Sequence, residues 1–81
     1  MERWVVYKSD SALLVGQLLS TKGHTYAYVG RVFEKRVPRT CILGAFTSED
    51  AALRAMRTIR DDPMSYLLRS EVSALEGYVT L

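Results

Sequence analysis

His and Cys, the residue types whose ordinary chemistry is nearest to acid–base and nucleophilic work at neutral pH, occur once each in these 81 residues, as His24 and Cys41. Catalysis needs such groups to converge with others: a nucleophile beside its base, two carboxylates set apart, or a cage of metal ligands. His24 stands beside a predicted turn with no acid near it in sequence, and reads as a surface histidine at a strand end. Cys41 falls in the apolar run "TCILGAF", where a thiol behaves as a small hydrophobe. In an extended strand Arg39 would share its side, the one neighbour placed to stabilise a thiolate. Asp61 and Asp62 precede Pro63 and read as a helix stop, because the residue before a proline avoids the α conformation. Gly16, Gly23, Gly30 and Gly44 are too scattered for a phosphate-cradling loop. One His, one Cys and no clustered carboxylates make no zinc or calcium pattern. No catalytic residue, cofactor or metal is expected; the sequence reads as a binding protein, not an enzyme.

The side chains with recognition chemistry are cations and tyrosines. Lys22, Arg31, Lys35, Arg36 and Arg39 fall along one edge and loop of a predicted sheet, where they would engage phosphates. Tyr26 and Tyr28 alternate onto one strand face, and Tyr either stacks on bases or anchors a protein interface. Residues 1–46 carry seven Lys/Arg against three Asp/Glu, whereas residues 47–81 carry four against six. The N-terminal half is therefore mildly basic and the C-terminal half mildly acidic.

The elements that must hold these groups follow from local pattern. "WVVYK" is rich in β-branched and aromatic residues and ends at the turn-forming "SDS". "ALLVGQLLS" is a short apolar run in which Gly16 points to a bulge or a close contact. "STKGH" reads as a hairpin turn, and "TYAYVGRVFEK" alternates as a strand. "EKRVPR" reads as a loop, since Pro38 cannot donate to a ladder, and "TCILGAF" is the last clear strand before a helix. Thr47 is the expected helix cap, with Asp50 reaching back to it. Ala52, Ala55, Met56 and Ile59 form one apolar helical stripe. Residues 63–76 satisfy two readings, a helix stopped by Gly77 or an alternating strand, and "YVTL" is a short terminal strand or a packed tail.

A chain of this length holds one core, so residues 1–81 are expected to be a single domain. The expected fold class is α+β: an antiparallel sheet of three or four strands packed on one or two helices, with the other face open to solvent or a partner. No apolar run approaches the roughly 20 residues that span a bilayer. "MERWVVYKSD" lacks a basic region followed by a long apolar one, so no secretory leader is expected. One cysteine cannot form an internal disulfide, which places the protein by default in a reducing, cytoplasmic compartment.

The stretch "YAYVGRVFEKRVPRTCILGAFTSEDAALRAM" resembles the ethylene-response-factor DNA-binding domain of plants and its relatives in mobile-element integrases. Leu43, Gly44, Phe46, Glu49, Ala51, Ala52 and Ala55 stand where that family has its strand exit and Ala-rich helix face. The resemblance spans roughly Val15 to Ile59. It implies a three-stranded sheet on one helix, with a sheet face in the DNA major groove and Arg31 among the reading residues. In size and shape the chain is also similar to small phage-encoded inhibitors of host defence, anti-CRISPR proteins among them. Two functions therefore stand. The leading one is protein-directed binding, as an inhibitor or adaptor, through Tyr26, Tyr28, Arg31, Lys35, Arg36 and Arg39. The alternative is DNA binding through the same cations and Lys22. An exposed edge strand also offers pairing to a second copy of the chain.

Overall fold

The computed structural model describes residues 3–10, 12–22, 26–30, 35–61 and 72–80. They form strands β1 (Trp4–Ser9), β2 (Ala12–Lys22), β3 (Tyr26–Val29), β4 (Lys35–Pro38) and β5 (Ile42–Phe46), helix α1 (Glu49–Asp61) and strand β6 (Tyr78–Val79). The class is α+β, as the residue pattern predicts. The strands make one six-stranded antiparallel sheet in the order β4-β3-β2-β1-β5-β6, which is larger than the three or four expected.

The extra strands have local causes. Residues 35–38, predicted as a loop, form β4 because Val37 is almost fully buried and Pro38 closes an edge strand, where a missing N–H breaks no ladder. The expected strand over Thr40 and Cys41 instead begins with a single 3-10 turn, Arg39–Cys41, that redirects the chain from β4 into β5. β6 is the predicted terminal strand, hydrogen-bonded along β5.

The sheet is rolled. A flat sheet steps about 4.8 Å per strand, which would hold β4 roughly 19 Å from β5. Yet Val37 of β4 and Ala27 and Val29 of β3 share one buried cluster with Ile42 and Ala45 of β5 and Val5 and Tyr7 of β1. β2 makes the roll possible. Its first half pairs with β1, from Ala12 to Gln17, and its second half with β3, from Leu18 to Lys22. Between Leu18 and Ser20 the register slips by one residue, leaving Leu19 unpaired, a bulge of the kind that bends a strand and raises its twist. Gly16 stands just before the bend, where a Cβ would overlap the Val29 side chain.

Over β1, the open sheet face expected from the sequence is covered. β1 is buried on both sides: Val5 and Tyr7 point into the rolled interior, while Trp4 and Val6 point at the helix. Trp4 is 6% exposed. The helix-side core joins Trp4, Val6 and Phe46 to Ala51, Ala52, Ala55 and Ile59, the predicted stripe with Ala51 added and Met56 packed at its margin. The alanines let the helix lie close to the strands, and Arg54, Arg57 and Arg60 face outward.

The helix cap is Ser48, not Thr47. Ser48 Oγ accepts from the Ala51 amide at 3.1 Å, and the Ser48 carbonyl accepts from Ala52. The Thr47 amide instead donates to the Gly77 carbonyl at 2.9 Å, tying the C-terminal turn to the helix start. Of the ambiguous stretch, residues 62–71 lie outside the described residues. Val72 and Ser73 are helical, but the helical residues end there, short of the stop expected at Gly77, which instead turns the chain at φ +82° into β6. Val72 and Leu75 pack on the helix-side core, and the Tyr78 ring meets Phe46 edge-on at 5.9 Å.

Candidate functional site

Rolling the sheet brings its far edge, β4, against the tip of the first hairpin. β1 and β2 pair up to Ser9 and Ala12, leaving a two-residue loop that starts with Asp10 at φ +55°. Asp tolerates this left-handed conformation better than most residues, which is why "SDS" turns here. The Lys35 ammonium donates to Ser9 Oγ at 3.1 Å and lies 5.8 Å from the centroid of the Tyr7 ring. Neither of these partners carries a charge.

Between the hairpin tip and β4 lies a cleft of about 210 Å³. Its walls include Lys8 and Asp10 on one side, Lys35, Arg36 and Pro38 on the other, and Tyr7 and Cys41 deeper in. The alternation of β4 explains the arrangement: Val37 is buried in the rolled interior and Lys35 shares its side of the strand, so the ammonium closes the end of that apolar space over Tyr7. The long aliphatic stem of lysine suits this position, with its body against apolar surface and its head in water.

The predicted residues divide into groups. Lys35 and Arg36 line the cleft. Tyr28 is half-buried and sits directly across from Arg36 in the β3–β4 ladder, with Ser20 on its other side. Lys22 and Tyr26 occupy the next row, opposite each other in the β2–β3 ladder. Arg39 is half-buried in the 3-10 turn. Arg31 and His24 lie outside the described residues. Cys41 is a half-buried free thiol packed against the interior cluster. The strand geometry that would align Arg39 with it does not form, because at three residues per turn, positions two apart point in different directions.

Sequence reasoning missed the hairpin side of the cleft: Tyr7, Lys8, Ser9 and Asp10. These residues are 25 or more positions from β4, as in the Ser9–Lys35 separation of 26, and the roll of the sheet unites them. Among the described residues, no group of three or more His, Cys, Asp or Glu could hold a metal ion, and no helix is long and apolar enough to cross a membrane. In comparisons with known proteins, no family model matches the chain, and no curated protein or solved structure matches it significantly.

Proposed function

We propose that this protein is a non-enzymatic binding module that engages a protein partner through the cleft and the adjoining β3–β4 ribbon, as an inhibitor or adaptor does. The observation that carries this reading is the cleft itself, where the Lys35 ammonium sits between Ser9 Oγ and the Tyr7 ring beside the strand that ends the sheet order. Tyr28 and Arg36, paired across the ribbon, add the residue types that dominate interface energetics. β1 is covered by core on both faces, whereas Lys35 and Arg36 are exposed where the cleft meets the ribbon.

The test is affinity capture from lysate with nuclease-treated and untreated samples, comparing the native protein with the double variant Lys35→Glu, Arg36→Glu. A protein retained by the native chain in both samples and lost with the variant supports the reading. Equal retention by both chains moves the contact elsewhere. Retention that depends on nucleic acid, with salt-sensitive anisotropy on labelled DNA, replaces it with the DNA-binding alternative.

A further inference from the structure

Resting on the protein-binding reading, we infer that the outer edge of β4 takes up an extended acidic segment of the partner as an added strand, with one of its carboxylate side chains seated in the cleft beside Lys35. β4 ends the sheet order and, among the described residues, pairs with β3 alone. An edge strand presents a row of backbone donors and acceptors, which an incoming peptide strand satisfies. A phosphodiester chain has no amide donors to return. The edge is four residues long and Pro38 offers no N–H, so backbone pairing is short and selectivity must come from side chains.

Those side chains define the occupant. The Lys35 ammonium has three N–H donors and is held by a neutral hydroxyl and a neutral ring, so a carboxylate arriving there gains a charge-assisted hydrogen bond. The cleft volume of about 210 Å³ equals some seven waters at about 30 Å³ each, which is room for a carboxylate side chain. A second copy of this chain is a poor occupant, because pairing β4 with β4 would crowd the Lys35 and Arg36 of both copies together. The edge thus repels itself and attracts an acidic strand.

The probe is a short fluorescein-labelled peptide alternating Glu and Thr, with its Gln-for-Glu counterpart, titrated by anisotropy against the full chain. The Glu peptide is expected to bind about tenfold tighter than the Gln peptide, and Lys35→Gln to erase most of that difference. Arg36→Gln, at an exposed position, serves as a second variant should Lys35→Gln alter the melting temperature. Strand addition is read separately by N-methylating the peptide backbone at alternate residues, in either of the two phases. Loss of binding in one phase and not the other supports an added strand, because a strand uses alternate N–H groups toward one neighbour. Glu-selective binding that tolerates methylation in both phases overturns strand addition and leaves the cationic cleft standing. Failure to prefer Glu over Gln overturns the acidic-strand inference without touching partner capture. Labelled DNA binding tighter than either peptide overturns both.

Discussion

Gly16 and Val29 meet so closely at the bend of β2 that a single methyl group on Gly16 would occupy the space of Val29 Cγ1, with Tyr7 Cε1 3.4 Å from the same point. The contact lies in the interior of the rolled sheet, where Val29 is 1% exposed. Gly16→Ala is expected to destabilise the protein by about 1–3 kcal/mol, the usual cost of overpacking a filled core. Val29→Ala alone leaves a cavity and also destabilises. Combined, the two changes should cost less than their sum, since the methyl added at Gly16 enters the space vacated at Val29. Additive losses in chemical denaturation would mean that the two residues do not share this space.

The same contact shows how far the sequence could be read. The interior glycine in "ALLVGQLLS" marked a close approach, and the structure supplies the partner, Val29, which no local pattern could name. The helix stripe was a local signal, carried by periodicity, and of the two readings of "YVTL" the strand is the one that forms, on β5. Wherever the outcome depended on the roll of the sheet, reading failed. "EKRVPR" carries a loop signal in its proline, and only the place of β4 at the sheet edge, which no local pattern reveals, lets Pro38 end a strand. Two-sided burial does leave one local sign. "WVVY" is four consecutive apolar residues with no alternation, the pattern of a strand covered on both faces, and all four are buried. The cleft was half readable, as Lys35 and Arg36; its other wall is set by tertiary folding alone.

The C-terminal turn makes a second conformational demand. Gly77 has φ +82°, and a Cβ there would stand 2.7 Å from Ala51 Cβ and 3.3 Å from Thr47 Oγ1. Gly77→Ala therefore combines a left-handed penalty of about 1–2 kcal/mol with a clash against the helix start. The expected outcome is a clearly lowered melting temperature, with amide exchange faster at Thr47, whose N–H is held by the Gly77 carbonyl. Unchanged protection at Thr47 would show that the turn is not anchored in this way.

Two adjacent hydroxyls at the start of α1 should behave differently. Ser48 Oγ accepts from the Ala51 amide, so Ser48→Ala leaves a helix donor without its cap and should cost about 1 kcal/mol. Thr47 contributes its backbone amide, which survives truncation, so Thr47→Ala should change stability by a few tenths of that at most. Thermal denaturation of the two single variants reads the difference directly. The reverse order would assign the cap to Thr47.

The two tyrosines nearest the proposed interface separate folding from binding. Tyr7 is 8% exposed, packs in the rolled interior and carries the Lys35 ammonium over its ring. Tyr7→Ala removes a buried aromatic and should cost about 3–5 kcal/mol, enough to unfold many domains of this size at physiological temperature. Tyr28 belongs to the opposite side of β3, since its neighbours Ala27 and Val29 are the ones buried in the interior. It is half-buried and lies across from the exposed Arg36. Tyr28→Ala should therefore cost far less stability while removing partner capture. Melting temperature and capture measured on the same preparations decide the matter. If Tyr28→Ala melts as early as Tyr7→Ala, the ribbon is part of the core, and the partner contact must be sought at the cleft alone.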